Sequence, residues 1–317
     1  MKFLIAGLGM LGVHVVTQLH AEGHQVEAFD VDPRPGGAKL GWVGISIPTH
    51  AADVTDFVQV ASTADLVRPD YVINTSVSRA IDRPALMAKI NVMGLINLLE
   101  AARIFKISRV VHASSTTVYG TAKRDPKYQG QMSDGELLSF ADTFYGATKQ
   151  AAEGIGHNYT RHCGVDFVAV RFCHIFGGGS TSTGMAIENL IKAAVENRPA
   201  KIENRRAFWH DREDFVYVKD AAGSLIAACK APEITHRAMN FSMGVHYTYD
   251  EIVGLIKKLI NPNLIVTREG APDAPFLRSP LAAPYDTRLV HEQLHYTSKF
   301  TMETAILDFA ESLRKTS

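Results

Sequence analysis

The fold of this chain is decided by its N-terminal stretch, Lys2-Phe3-Leu4-Ile5-Ala6-Gly7-Leu8-Gly9-Met10-Leu11-Gly12. The apolar run over 2–6 predicts a buried strand, and the pattern over 11–22 predicts a helix. The GxGxxG spacing between them allows a tight turn, a close approach of a diphosphate to the backbone, and close packing of helix on strand. The unpaired amides and the dipole of the helix favour an anion there. The candidate contacts of a dinucleotide cofactor are therefore Gly7, Gly9, Met10, Leu11 and Gly12.

The first half of the chain alternates β-branched apolar runs with longer helical patterns, which predicts βαβ units and a parallel sheet. Further strands are expected at 25–29, 71–74, 109–113 and 166–172, and further helices at 91–105 and 144–162. We expect an α/β fold with a Rossmann-type doubly wound parallel sheet, which forms an NAD-binding domain in residues 1–172. Residues 173–317 are less regular and predict a smaller, mainly substrate-binding part, some segments of which return to the main domain.

The composition is that of a folded globular protein, since 46% of the 317 residues are hydrophobic and 21% are charged. The formal net charge is zero, so no overall field attracts nucleic acid or an anionic membrane, and neither is expected as a partner. The cysteines, Cys163, Cys173 and Cys229, are widely spaced and fit neither a disulfide framework nor a metal site. We expect no bound metal, no transmembrane helix and a reducing, cytoplasmic location.

Asp30 lies at the end of the second predicted strand, where a carboxylate accepts both hydroxyls of an adenosine ribose. The same carboxylate repels a 2′-phosphate, which favours NAD over NADP as the cofactor. Arg34 is placed to pair with such a phosphate and leaves dual use of NADP open. The alternative is that Asp30, with Asp32 and Pro33, only starts a turn.

Tyr145 and Lys149 are four residues apart on a predicted helix and so project from one face. A tyrosine with an ordinary pKa of about 10 is a poor base at neutral pH, and a close positive charge favours its phenolate. Ser115 follows the strand at 109–113, at the edge where parallel sheets bind ligands, and can donate to a substrate oxygen. The three predict hydride transfer between a nicotinamide and a secondary alcohol or ketone carbon. The alternative is a half-buried tyrosine beside a solvated lysine. Glu153 lies one turn past Lys149 and is expected to pair with it on the helix surface.

With these blocks in this order, the chain resembles the extended short-chain dehydrogenase/reductases, the NAD-dependent epimerase/dehydratase family. The resemblance runs from Met1 to about Lys230. The blocks that carry it are the glycine loop, Asp30, Ala-Asp-Val at 52–54, Ser-Ser-Thr-Thr-Val-Tyr-Gly at 114–120, Tyr-Gly-Ala-Thr-Lys at 145–149, Arg-Phe at 171–172 with Ile-Phe-Gly at 175–177, and Asp-Phe-Val-Tyr-Val at 214–218.

This resemblance implies further contacts and partners. Asp53 and Val54 would contact the adenine, and Thr75 and Ser76 would pass beside the cofactor. Ser115, Tyr145 and Lys149 match the catalytic triad of the family, in which the tyrosine and the lysine also contact the cofactor. The resemblance also implies a small-molecule substrate and a homodimer formed through helices 91–105 and 144–162.

The reaction type rests on departures from the family pattern. Thr116 and Thr117 stand where dehydratases carry an acidic residue, so dehydration is not expected. His174 stands where nucleotide-sugar epimerases typically have asparagine, and Glu213 where they have arginine. A glutamate there repels a nucleotide diphosphate, although Arg212 or Arg278 could replace the missing cation.

The candidate substrate contacts are Ser115, Thr116, Thr117, His174, Arg212 and Arg278. The departures favour a net dehydrogenase or reductase of a polar hydroxy compound or sugar derivative. The alternative is a nucleotide-sugar 4-epimerase similar to UDP-glucose 4-epimerase. A third hypothesis is a non-catalytic regulator that senses NAD, against which the complete Ser-Tyr-Lys set argues.

Overall fold

A computed structural model describes residues 1–42, 44–124, 140–178, 186–203, 212–269 and 284–315. Within these ranges, seven parallel strands form one large sheet. Numbered in chain order, they are β1 (Lys2–Ala6), β2 (Gln25–Asp30), β3 (Thr49–Ala51), β4 (Tyr71–Asn74), β5 (Arg109–Ser115), β6 (Phe167–Phe172) and β10 (Ala238–Phe241). Their spatial order is β3-β2-β1-β4-β5-β6-β10. The winding direction reverses between β1 and β4, which confirms the Rossmann-type doubly wound sheet.

The other described strands form two small sheets. One contains β7 (His174–Phe176), β9 (Glu213–Tyr217) and β11 (His246–Tyr247), and the other contains β8 (Ala200–Glu203) and β12 (Val266–Glu269). The helices of the first half are α1 (Met10–Ala21), α2 (Arg34–Trp42), α3 (Phe57–Val67), α4 (Pro84–Ala88), α5 (Gly94–Phe105) and α6 (Phe144–Cys163). Those of the second half are α7 (Ala186–Val195), α8 (Val218–Lys230), α9 (Tyr249–Leu259), α10 (Arg288–Leu294) and α11 (Met302–Lys315).

Both faces of the large sheet are covered by helices. One face packs against α1 and α8, and the other against α3, α5 and α6. A separate apolar core lies among α7, α9, α11 and the small sheets. Two segments from beyond residue 172 thus return to the main sheet: β10 is one of its strands, and α8 packs on one of its faces. The division of the chain into domains at residue 172 stays a prediction.

The helix expected at 91–105 begins earlier and is not uniform. It continues from α4 through a π-helical turn, Lys89–Met93, into α5. The whole of 84–105 is apolar and long enough to cross a bilayer by composition alone, but half of its most apolar window is buried in the fold. Leu95, Leu98 and Leu99 pack in the core beneath the sheet. The apolar character of this segment is therefore explained by its packing as a core helix.

Glu153 does not lie on the surface of α6, so the expected pairing with Lys149 there is wrong. Its side chain is 5% exposed and accepts a charged hydrogen bond of 2.7 Å from Nη2 of Arg171 on β6. The hydroxyl of Ser114 also donates to it. The reason is that this face of α6 packs on β5 and β6 rather than facing water, so the carboxylate is buried and has to be neutralised by a cation from the sheet.

Replacing Arg171 by methionine should destabilise the fold strongly, because it leaves the Glu153 carboxylate buried without its cation. We expect the free energy of unfolding to fall by about 3–5 kcal/mol. Arg103→Met is the matched control, since Arg103 forms a partly exposed pair with Glu100 on α5 and its loss should cost no more than about 1 kcal/mol. Urea unfolding of the two variants measures both values, and equal losses would contradict the structural role of the buried pair.

Candidate active site

The turn between β1 and α1 gives each of its three glycines a separate role. Gly7 has a φ of +94°, and a Cβ there would lie 2.8 Å from the Ser76 amide nitrogen. A Cβ on Gly12 would lie 2.0 Å from the Gly7 carbonyl oxygen, so only glycine lets the helix approach the strand this closely. A Cβ on Gly9 would meet no atom within 4 Å. The space above Gly9 is thus open at the N-terminus of α1, where Met10 and Leu11 begin the helix and where a diphosphate would be stabilised.

A pocket of about 130 Å³ lies next to this turn, at the carboxyl ends of β1, β2 and β4. Its walls include Gly7, Asp30, Asp53, Val54 and Ser76, which were all predicted as cofactor contacts. One Asp30 oxygen accepts a 2.8 Å hydrogen bond from the Leu8 amide. That bond fixes the carboxylate beside the glycine turn, where a ribose would lie in this fold.

Thr75 has a different role from that of its neighbour Ser76. Its hydroxyl donates to the carbonyl oxygens of Ala6, at 3.1 Å, and Gly7, at 2.8 Å. It does not line the cofactor pocket. Thr75 therefore links the end of β4 to the glycine turn.

A second pocket, of about 250 Å³, opens where β5 and α6 meet the small sheet of β7, β9 and β11. The predicted residues that line it are Ser115, Thr116, Thr117, Tyr145 and His174. The Ser115 hydroxyl accepts a 3.0 Å hydrogen bond from that of Thr117, which orients it at the end of β5. The structure thus brings the serine and the tyrosine of the predicted triad to one cavity.

Lys149 lies behind this pocket rather than in its wall. The side chain is 1% exposed, and Nζ donates a 2.7 Å hydrogen bond to the Ala113 carbonyl and lies 5.9 Å from the centre of the Tyr145 ring. Burial, reinforced by the charge of Arg79, lowers the pKa of Lys149 to about 7. The lysine can therefore gain or lose a proton near neutral pH.

Several residues of the site were not predicted from the sequence. The second pocket is also lined by Arg79, Cys173, Ile175 and Tyr285. It is lined as well by Glu213, whose position the sequence had already marked as the one where epimerases have arginine. Arg79 follows β4, and the rule that parallel sheets bind ligands at their carboxyl edge would have pointed to this loop. Tyr285 comes from a proline-rich region far away in sequence and gave no local signal.

Asn91, in the π-helical turn, was also missed. Its side-chain oxygen accepts from the Ser78 amide at 2.8 Å, and its nitrogen donates to the Ser78 carbonyl and to the Thr148 hydroxyl, both at 3.0 Å. It therefore ties the loop after β4 to α6, next to Lys149. Isolated π-turns of this kind recur at functional sites.

The predicted substrate residues beyond β7 are not all in the pocket. His174 contacts Glu213 at 3.3 Å, and both side chains line the cavity. Arg212 is not among the lining residues, and it forms a 2.9 Å ion pair with Glu251 at the start of α9. Arg278 lies outside the described residues.

The model of the NAD dependent epimerase/dehydratase family matches residues 3–244. The chain belongs to this family. This confirms the resemblance found in the sequence, and with it an NAD-dependent enzyme of the extended short-chain dehydrogenase/reductase type.

The individual proteins that this chain resembles are distant from it in sequence. A probable UDP-glucuronate 4-epimerase of Rhizobium meliloti is 26% identical over 251 residues, 73% of this chain and 69% of the relative. Two solved structures share the fold. A UDP-glucose 4-epimerase of Thermus thermophilus in complex with NAD has a TM-score of 0.81 at 21% identity and covers 99% of both chains. A UDP-glucuronic acid 4-epimerase of Bacillus cereus, in complex with UDP-glucuronic acid and NAD, has a TM-score of 0.80 at 18% identity over 100% of both.

Replacing Lys149 by methionine should make the protein more stable, because a buried ammonium is costly and methionine carries no charge. An unfolded lysine titrates near pH 10.4, whereas the pKa in the folded state is lowered to about 7. The wild type is thus penalised fully below pH 7, and the penalty disappears as the pH rises toward about 10. We expect the variant to gain about 1–4 kcal/mol in acid and less in alkali, measured by urea unfolding at both ends of this range. The exposed Lys89→Met is the control, and a Lys149 variant less stable than wild type in acid would contradict the argument.

Proposed function

We propose that the chain is an NAD-dependent nucleotide-sugar epimerase that inverts a secondary alcohol carbon, C4 of a UDP-linked hexose or uronic acid. The observation that carries this is the cavity that Ser115 and Tyr145 share beside a glycine-lined cofactor cradle. The choice of reaction is supported by the Rhizobium relative and by the two epimerases with the same fold. They favour the epimerase over the net dehydrogenase, which the departures from the family pattern at His174 and Glu213 had favoured.

The residues present fit an NAD molecule. The open space over Gly9 suits the diphosphate, Asp30 suits the adenosine ribose, and Asp53 with Val54 suits the adenine. Tyr145 is the proposed contact of the nicotinamide ribose, and Lys149, which is 1% exposed, would have to turn from the Ala113 carbonyl to reach the same ribose. When bound, the cofactor supplies the acceptor for the hydride that leaves the sugar carbon and the donor from which that hydride returns.

The protein moves the accompanying proton. Tyr145 accepts the proton of the substrate hydroxyl as the C–H bond is broken, and Ser115 donates a hydrogen bond to the same oxygen. The product of this half-reaction is a ketone. Turning the ketone over before the hydride returns gives the epimer, and Tyr145 then gives the proton back. The cavity of about 250 Å³ leaves room for such a turn.

The anchors of the substrate are also proposals. Thr116, Thr117 and His174 suit the hydroxyl groups of a sugar, since all three line the cavity. A diphosphate would have to displace Glu251 to reach Arg212. Arg278, outside the described residues, stays a candidate for the same role.

A net dehydrogenase of a smaller polar substrate is the second candidate. It is favoured by Glu213, whose side chain is 12% exposed and contacts His174 in the cavity. An anion at this point disfavours a nearby diphosphate.

We also propose a homodimer. Two features support it: α5 and α6 pack side by side, and Ile104 on α5 is exposed.

Turnover with UDP-glucuronate and UDP-glucose distinguishes these candidates. We expect NMR to show the C4 epimer, with deuterium placed at C4 of the substrate retained in the product and no accumulation of reduced nicotinamide. Tyr145→Phe should lower kcat by about 10²–10⁴-fold, because proton transfer is lost, while NAD binding measured by calorimetry is retained. Stoichiometric reduced cofactor with an oxidised product would instead establish the dehydrogenase.

The proposed ribose contact predicts a selective loss of cofactor affinity. Asp30→Asn removes the charge that strengthens hydrogen bonds to the ribose hydroxyls, so the Kd for NAD should rise by about tenfold or more and the preference over NADP should narrow. Asp32→Asn is the matched control, since Asp32 lies nearby and pairs with Arg34 on the surface. Calorimetric titration with both nucleotides measures the effect, and an unchanged Kd in the Asp30 variant would remove this residue from the site.

A further inference from the structure

The second pocket contains a cation that the proposed mechanism does not use. Arg79, in the loop after β4, is the only lysine or arginine among the described residues that line this cavity. Its guanidinium carbon lies 5.7 Å from the centre of the Tyr145 ring. The side chain is exposed, and within the described ranges it forms no ion pair with a carboxylate. Its N–H donors are therefore available to a ligand in the cavity.

The place of Arg79 beside Tyr145 is set by hydrogen bonds of the neighbouring residues. Asn91 accepts from the Ser78 amide at 2.8 Å and donates to the Ser78 carbonyl at 3.0 Å. The Thr148 hydroxyl accepts from Asn91 at 3.0 Å and donates to the Tyr145 carbonyl at 2.7 Å. These bonds join the residue before Arg79 to the backbone of Tyr145. The π-helical turn thus holds the loop that carries the cation against the helix that carries the tyrosine.

The charges of the cavity are divided between its two flanks. In the large sheet, β5 lies between β4 and β6, and Ser115 is the last residue of β5. Arg79 comes from the loop after β4. Glu213 contacts His174 at the start of β7, which follows β6. An anionic group of a substrate is therefore attracted to the flank of Arg79 and repelled from that of Glu213.

We propose that Arg79 anchors a carboxylate on the carbon next to the one that is oxidised, so that the substrates are uronic acids or related sugar acids. This inference deepens the proposed function and rests on it for the placement of the sugar, with C4 at Tyr145. In a hexuronic acid, the carboxylate is carried by C5, which is bonded directly to C4. The diphosphate is carried by C1, at the other end of the pyranose ring. A cation beside Tyr145 therefore suits the carboxylate rather than the diphosphate.

The chemistry of the guanidinium determines how strong such an anchor is. A planar guanidinium binds a carboxylate through two parallel hydrogen bonds, which also fix the orientation of the carboxylate. An exposed ion pair contributes little in water. A sugar ring in the cavity of about 250 Å³ covers the pair and excludes water from it, which strengthens the attraction. Turning the ketone over carries C5 away from Arg79, so the anchor holds one of the two C4 epimers more tightly than the other.

Ligands that differ only at C6 test the anchor: UDP-glucuronate against UDP-glucose, and their C4 epimers UDP-galacturonate against UDP-galactose. Calorimetry with NAD present measures each Kd in the Tyr145→Phe background, which keeps the ring beside Arg79 and stops turnover. We expect Arg79→Gln to raise the Kd of at least one uronate by about 10–100-fold, and that of its neutral partner by less than about threefold. Arg83→Gln should leave every Kd unchanged, since Arg83 is exposed, pairs with Asp82 and is not among the lining residues.

Equal losses for the uronates and the neutral sugars would place Arg79 at the diphosphate, and a weaker Kd for NAD alone would place it at the cofactor. Either result overturns the proposal. An NMR titration with D-glucuronate and D-galacturonate, which carry no nucleotide, separates the anchor from the proposed function. If these acids bind in a manner that depends on Arg79 and the UDP-sugars do not bind, the nucleotide-sugar assignment fails and the anchor stands. If no acid of either kind depends on Arg79, the anchor is refuted.

Discussion

The structure depends on the close approach of α1 to β1 at the glycine turn. β1 lies inside the sheet between β2 and β4, at the point where the winding direction reverses, and a side chain at Gly12 would strike the Gly7 carbonyl. Because both glycines lack a Cβ, the amide groups of α1 start directly over the sheet edge. Asp30 and Thr75 then reinforce this turn from the two neighbouring strands. Backbone packing at the glycine turn therefore shapes the proposed cofactor pocket by itself.

The second constraint is a layer of polar groups buried between α6 and the sheet. Glu153 is neutralised by Arg171, and Lys149 is held by a carbonyl and by His112. Such a layer costs stability, since each group has to be removed from water and paired. In return it fixes the rotation of α6, which decides where Tyr145 enters the cavity. The cost in stability would be explained by the proton-transfer role proposed for Tyr145.

Local patterns predicted most of the residues that line the proposed cofactor pocket. The strand, the glycine spacing and the acid after β2 occupy short stretches of sequence, so the pocket that contains Gly7, Asp30 and Ser76 was foreseeable. The reaction type was harder to predict, because it depends on which charges reach the cavity. Glu213 does so and Arg212 does not, although the two are adjacent in sequence. Arg212 lies just before β9 and Glu213 is the first residue of that strand, and the sequence does not say which of these two adjacent side chains faces the site.

By itself, the sequence determined the doubly wound fold and the family, because these rest on spacings within single elements. The catalytic roles of Ser115, Tyr145 and Lys149 stay predictions. Only the tertiary structure decided what lies behind and opposite those residues. Asn91 acts through a π-turn that no periodicity indicates, Tyr285 reaches the cavity from a distant segment, and His112 meets Lys149 across the boundary between strand and helix. Contacts of this kind depend on how separate elements pack, and a pattern read along one element carries no information about the side chains that another element brings to it.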